Sequence, residues 1–309
     1  MEFRRLRYFV AVAEEGHVTR AAERLGMQQA PLSQQIKVLE RELGAQLFHR
    51  RPRGVELTDA GRALLDEARA ILARTDAART AVRRAARGEA GRLRIGLTNS
   101  ACFHPAPPAA IRVFAVAAPQ VGLSFEIAST PALIERLEAG EVDVAFVRTA
   151  AARQPVLSLR RLAEEPMIAA LPAGHALADD DAVALADLAG ETFVGYPRAE
   201  GAGLYDAVIA ACHGAGFSPR IGFEAPQMIA TLSLVGAGLG VSIVPDSLRR
   251  MQLDGVAYRP LNRAAPTAEL NLAFRAAGAS AAVRNFVSQA GALATAAGSP
   301  PEPAAGGAR

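Results

Sequence analysis

TRAAERLGMQQAPLSQQIKVLEREL, running from Thr19 to Leu43, reads as two short helices joined by a tight turn. Thr19 is the expected N-cap of the first, because its hydroxyl can accept from an orphan amide two or three residues on. Ala21, Ala22 and Leu25 make its inward face, and the two alanines are small enough to let a second helix cross close by. Gly26 permits the positive φ that stops the helix. Pro31 stands early in the next helix, where a missing N–H is harmless. Leu32, Ile36, Leu39 and Leu43 follow at spacings of four, three and four, which is one buried helical face. Ser33, Gln34, Lys37 and Arg41 fall on other faces. A helix that is apolar behind and amide, hydroxyl or cationic in front suits a major groove, where amides read adenine and hydroxyls and amines hold phosphate. A helical hairpin with a solvated polar face is the alternative from these residues alone.

The flanking residues favour the groove-binding reading. Upstream, Leu6, Phe9, Val10 and Ala13 repeat at helical spacing and Gly16 ends that helix, completing a three-helix core. Downstream, Gly44 caps the second helix and Leu47 and Phe48 return to the core. Arg50, Arg51, Pro52, Arg53 and Gly54 then form a basic turn before Val55 to Leu57, read as a two-stranded wing. Three arginines on one turn repel one another unless phosphate neutralises them, although a solvated charged loop is the plainer account of any charge run.

Thr58-Asp59 caps a long helix to about Arg87. Its apolar positions, Leu64, Ala68, Ile71, Ala78 and Val82 among them, alternate at spacings of four and three. A seven-residue repeat of that length needs a partner helix. No other long helix in the chain carries a matching seam, so a homodimer is expected, with an intramolecular partner as the alternative.

Charge divides the 309 residues the same way. Residues 1–90 hold 17 Lys+Arg against 12 Asp+Glu, while the remainder is slightly acidic. A basic module on a nearly neutral body suits polyanion binding by one end only. Half the residues are hydrophobic, which excludes global disorder. Cys102 and Cys212 form no metal spacing or disulfide framework and read as buried thiols of a reducing, cytoplasmic protein. No leader-like run and no apolar stretch near membrane length is expected.

Strands alternating with helices begin at Leu93. Strands are expected at Leu93 to Thr98, Leu123 to Ala128 and Val142 to Val147, with helices at Pro108 to Val116 and Pro131 to Ala139. A second set has strands at Met167 to Leu171, Thr192 to Tyr196, Arg220 to Glu224 and Val241 to Val244. Its helices lie near Gly203 to Gly214 and Gln227 to Val235. A late strand at Leu270 to Arg275 and a helix at Ala281 to Leu293 close the body. This rhythm implies a parallel, doubly wound α/β sheet in two lobes. The Pro/Gly/Ala-rich tail is expected to be disordered.

In open α/β sheets ligands bind beyond the carboxyl ends of the strands. Thr98-Asn99-Ser100, Ser129-Thr130 and Arg148 all qualify. Ser129 and Thr130 stand at a helix start, where free amides and the dipole favour an anion, although plain capping is their commonest use. Arg148 could pair with a carboxylate. Tyr196, Pro197 and Gln227 are candidates from the second lobe. Gly236 to Gly240 has the glycines of a dinucleotide loop but precedes a strand, so it reads as a helix-to-strand turn. No Walker loop, zinc spacing or G-x-S-x-G elbow is present. The five histidines are scattered, and His104 near Ser100 reads as structural or solvent-facing.

LRYFVAVAEEG, AAERL, PLSQQIKVLERELGAQLFHR and LTDAGRALL carry a specific resemblance: residues 1–88 resemble the winged helix-turn-helix and linker helix of LysR-type transcriptional regulators. The body fits the family's bilobed, periplasmic-binding-protein-like effector domain more loosely, to about residue 295. The resemblance implies a winged helix-turn-helix at 1–57, a dimerising linker at 58–88 and an effector domain at 89–295. Within that domain lobe I spans about 91–162 and 268–295 and lobe II about 163–267, with a tail at 296–309. DNA would be contacted by Gln28, Gln29, Ala30, Ser33, Gln34, Lys37, Arg50, Arg51 and Arg53. Ser100 and Ser129 occupy the family's effector-cleft positions. The implied partners are a dyad-symmetric operator with an AT-rich interior, a small anionic effector, a second copy in a dimer or tetramer, and RNA polymerase. Neither an enzyme activity nor a cofactor or metal is expected. FVR, LRRL and ALPAGHALA look closest to members controlling aromatic-compound catabolism. Ala30, Gln34 and His17-Val18 depart from the usual proline, arginine and Ser-Phe. A solute-binding protein or a DNA-tethered enzyme could use the same bilobed domain.

Overall fold

The computed structural model describes residues 2–148, 156–262 and 265–298. They form two compact units, Met1–Arg84 and Ala85–Arg309.

The first unit starts with α1 (Phe3–Glu15), α2 (Val18–Arg24) and α3 (Gln29–Leu43). Gly16 and Gly44, in the left-handed region, end α1 and α3 as expected. The cap of α2 is different. The helix begins one residue before Thr19 because His17 Nδ1 accepts the Thr19 N–H at 3.2 Å. The Thr19 hydroxyl is thereby free to donate to Gln29 Oε1 at 3.1 Å. Leu6, Phe9, Val12, Ala21, Leu32 and Leu39 make the core. Leu43, expected on the buried face, is 41% exposed, since it lies in the last turn of α3, past the core.

The wing is β1 (Phe48–Arg51) against β2 (Gly54–Leu57), turning through Pro52 and Arg53. It is tied down on two sides. Glu40 Oε1 accepts the N–H of Leu47 at 2.9 Å, and the Val55 N–H donates to Gly16 O at 2.8 Å. Helix α4 (Asp59–Ala86) follows, with Thr58 Oγ1 accepting the Gly61 N–H at 2.9 Å. This start is the expected one. The seam is not wholly available to a second copy. Ala68 is fully buried, and Leu64 and Ile71 pack half-buried against the unit's own core. Three short helices leave that core open on one side, and the first half of α4 closes it. Only Ala78 and Val82, the latter 70% exposed, remain uncovered.

The second unit begins with β3 (Ala90–Leu97), α5 (Ala106–Ala117), β4 (Gln120–Ile127), α6 (Thr130–Ala139) and β5 (Val144–Val147). Then come β6 (Leu157–Pro172), β7 (Val183–Ala184), β8 (Thr192–Gly195), α7 (Ala202–Gly214), β9 (Arg220–Glu224), α8 (Met228–Gly236) and β10 (Ser242–Pro245). It ends with β11 (Val256–Asn262), β12 (Thr267–Arg275) and α9 (Ala281–Gly298). The order β4-β3-β5-β12-β6-β11-β7 forms one sheet, with β10 also on β6, and β8 and β9 pair separately. The wholly parallel sheet expected above is therefore mixed. β3, β4 and β5 are parallel, but β12 returns antiparallel between β5 and β6.

Strand β6 joins the lobes. Up to Pro166 it pairs with β12; from Met167 onward it pairs with β10 and β11. The lobes thus exchange along one continuous strand, four residues past the boundary expected from sequence. Lobe I packs Leu93, Ile95, Phe114, Phe146 and Phe286 on one face of the sheet and Leu133, Leu137 and Val147 on the other. Phe114 and Phe286 meet edge to face at 5.3 Å. Lobe II is built on Met167, Leu171, Phe193, Leu232 and Val241. Gly238, at φ 80°, lies in the turn from α8 to β10, as expected of that glycine run. Helix α9 continues through residues 296–298, which the tail was expected to include; the rest of the tail lies outside the described residues. No helix among the described residues is long and apolar enough to cross a membrane.

Candidate nucleic-acid interface and ligand cleft

Two surfaces carry the expected residues. The first is the groove between α3 and the wing. It is lined by Gln29, Ser33 and Lys37 from the helix and His49, Arg50, Arg51 and Pro52 from the wing. His17 lines it as well. Sequence reasoning noted His17 only as a departure, although an imidazole two residues before a helical amide is a possible cap. Gln28, Ala30, Gln34 and Arg53 are exposed outside this groove; Gln34 shares an adjoining hollow with Lys37 and Arg41. The Thr19 hydroxyl donates to the Gln29 amide oxygen at 3.1 Å, which restricts that side chain's rotamers. Self-repulsion on the wing is partly relieved, because Arg51 pairs with Glu56 at 3.0 Å. Arg50 and Arg53 make no ion pair among the described residues, leaving two cations for a polyanion.

The second surface is the cleft where β3, β5 and α6 of lobe I face β8 and α7 of lobe II. Thr98, Asn99, Ser100, Thr130, Arg148 and Tyr196 converge there, joined by Glu200, Gly201, Leu204 and Met228. Three expected residues do not line it. Ser129 is the N-cap of α6, its Oγ accepting the Ala132 N–H at 3.5 Å. Pro197 falls between the lining residues Tyr196 and Glu200 without lining the cleft itself, and Gln227 is exposed ahead of α8, whose first residue, Met228, lines the cleft instead. His104 is also outside the lining. It is buried, its Nδ1 accepts the Ala106 N–H at 3.1 Å, and burial lowers its pKa.

Arg148 is not the open guanidinium that was expected. It is 3% exposed, and its Nη2 already donates to Glu165 Oε1 at 2.5 Å. Weaker bonds of 3.4 Å reach Ser100 O and Ala268 O. Burying an unpaired guanidinium costs several kcal/mol, so the fold supplies its own carboxylate. Glu165 in turn accepts from the Ser247 N–H at 2.7 Å and the Ser247 hydroxyl at 3.1 Å. One carboxylate on β6 thus ties Arg148 of lobe I to a turn of lobe II. Glu165 was missed from sequence, although strand alternation through Glu164 and Glu165 must turn one of the two inward.

Two polar atoms of the cleft residues remain unmatched among the described residues: Thr98 Oγ1 and Arg148 Nε. Both belong to residues that line the cleft, as does Thr130, the first residue of α6. Tyr196 closes the lobe II side. Its ring lies over Gly201, where a Cβ would come within 2.5 Å of it, and burial pushes the phenol up to about 12. The cleft encloses only about 10 Å³. That is less than a metabolite needs, so entry of one requires lobe or side-chain movement.

Residues 3–62 match the family model described as bacterial regulatory helix-turn-helix protein, lysR family. Residues 86–294 match the LysR substrate binding domain. The chain is 40% identical over 287 residues to the HTH-type transcriptional regulator BudR of Raoultella terrigena, covering 93% of this chain and 99% of that one. It is 34% identical to AlsR of Bacillus subtilis (strain 168), covering 93% and 94%. Full-length CbnR complexed with its target DNA superposes with a TM-score of 0.83 at 31% identity, covering 95% of this chain and all of that one.

Proposed function

The chain belongs to the LysR family of DNA-binding transcriptional regulators, and on that premise we propose that a small carboxylate-bearing metabolite, held between the lobes, controls its grip on a dyad-symmetric operator. It is a regulator and not an enzyme, and the solute-binding and DNA-tethered enzyme alternatives are set aside because both parts of the chain match LysR models. The observation that carries the effector reading is a pair of buried polar atoms without a partner among the described residues, Thr98 Oγ1 and Arg148 Nε, on two residues of a cleft that the first residue of α6 also lines. A carboxylate there accepts from the Thr98 hydroxyl, from Arg148 Nε and from α6 amides. Arg148 acts through its remaining N–H and not as a free ion-pair partner. A ligand that touches both lobes favours their closed arrangement, since only differential affinity shifts a population.

Thr98→Val keeps the side chain's shape and removes the hydroxyl. It is expected to retain operator binding in a gel shift and to need about 10- to 150-fold more inducer in a reporter assay, the equivalent of one charge-assisted bond of about 1.5–3 kcal/mol. An unchanged inducer midpoint would place the effector elsewhere.

On the DNA side, α3 reads bases through Gln29, Ser33 and Gln34 while Lys37, Arg50 and Arg53 hold phosphate. Arg53→Ala should weaken binding across all sequences and lower the salt slope by about one unit. Fluorescence anisotropy over a salt series checks this, and a loss confined to one operator sequence would contradict a phosphate role. The uncovered Ala78 and Val82 support pairing of a second copy along the later turns of α4. We assign RNA polymerase as the further protein partner and the cytoplasm, at the nucleoid, as the place of action.

A further inference from the structure

Lobe II contains a second cavity, walled by Met167, Phe193, Val208, Ile209, Ile221 and Ile243. It encloses about 30 Å³, the space of roughly one water. Two of the hydroxyls around it donate to backbone carbonyls. Ser242 Oγ donates to Val194 O at 2.8 Å, and Thr231 Oγ1 donates to Gln227 O at 3.3 Å. The rest of the wall is mostly aliphatic, thioether and aromatic, so the chamber suits a small hydrocarbon group. Tyr196, Leu204 and Met228 line both this chamber and the effector cleft. That wall can give way. The Tyr196 hydroxyl is held by one long bond, 3.4 Å to Glu200 O. Met228, and Met167 behind it, are unbranched thioethers that refill irregular space at small cost.

We propose that the effector is amphipathic: its polar head sits in the cleft at Thr98 and Thr130, and an uncharged apolar tail passes the Tyr196–Met228 wall into the lobe II chamber. The proposal rests on the cleft reading above and adds the ligand's shape. A head-only carboxylate would leave the chamber unused and bind weakly. Each methylene buried strengthens binding about fourfold.

The test titrates the full-length protein with acetate, butyrate, hexanoate and octanoate by calorimetry or thermal shift. Affinity is expected to climb about fourfold for each of the one or two methylenes that a space of about 30 Å³ takes, beyond butyrate, and to level off after them. Val208→Phe, which fills the chamber from α7, should flatten the series at the butyrate level. Ile221→Trp, from the opposite wall, should do the same if Val208→Phe proves poorly folded. Thr98→Val should lower the whole series by a common factor and keep its slope. A flat series in the unaltered protein, or a slope that both filling variants retain, overturns the chamber and leaves the cleft standing. Failure of every member to bind, octanoate included, overturns both.

Discussion

Glu165→Ala is expected to destabilise the second unit by about 3–5 kcal/mol, the range for removing one partner of a buried ion pair. The change leaves Arg148, 3% exposed, without the one carboxylate it pairs with among the described residues. It also strips the Ser247 N–H and hydroxyl of their shared acceptor. The remaining bonds of Arg148, to two carbonyls at 3.4 Å, are too long to replace it. Arg94 and Asp143 form the natural control. Their bonds of 2.8–3.0 Å are as good, but the Arg94 side chain is 38% exposed, so water takes over part of the lost interaction. Asp143→Ala should therefore cost clearly less. Replacing both buried partners, as Arg148→Met with Glu165→Leu, should recover most of the loss, since neither charge is left buried. Urea denaturation of the three variants beside the unaltered protein decides the matter. If Glu165→Ala unfolds at the same midpoint as the unaltered protein, the pair is not holding the lobes.

The second large effect concerns the wing. Gly54 has φ +143°, and a Cβ there would stand 2.3 Å from Gly16 O. Gly16 O is the acceptor for the adjacent Val55 N–H. Gly54→Ala thus meets backbone strain of about 1–3 kcal/mol and overpacking of about 1–3 kcal/mol against an atom that cannot move aside. The wing must lift, and with it Arg50, Arg51 and Arg53. We expect a large loss of DNA affinity and a shallower salt dependence, because several phosphate contacts go together. Gly44→Ala is the comparison. Gly44 also has positive φ, 65°, but no atom lies within 4 Å of its missing Cβ. Only the conformational penalty of about 1 kcal/mol applies. Anisotropy titrations that find the two alanine variants equally impaired would show that the close approach to Gly16 does not seat the wing.

Sequence alone was sufficient wherever the information is local and periodic. The stripe Leu32, Ile36, Leu39 placed α3 because 3.6-residue periodicity and a hydrophobic face determine each other. Gly16 and Gly44 marked helix ends because a left-handed residue is nearly always glycine. The strand ends at Thr98 and Arg148 pointed to the cleft because a parallel βα rhythm dictates where loops gather. What the tertiary structure decided was partnership. Leu64, Ala68 and Ile71 have the spacing of a dimer seam, but whether the cover comes from a second chain or from the unit's own core depends on how much core the three helices leave open. Arg148 at a strand end looks free until β6 brings Glu165 against it from 17 positions away. Likewise His17 capped α2 and left Thr19 to hold Gln29, a choice between two acceptors two residues apart. A side chain's chemistry limits its partners. The three-dimensional path of the chain selects among them, because burial makes every unmatched charge or hydrogen bond costly and so forces the nearest complement into place.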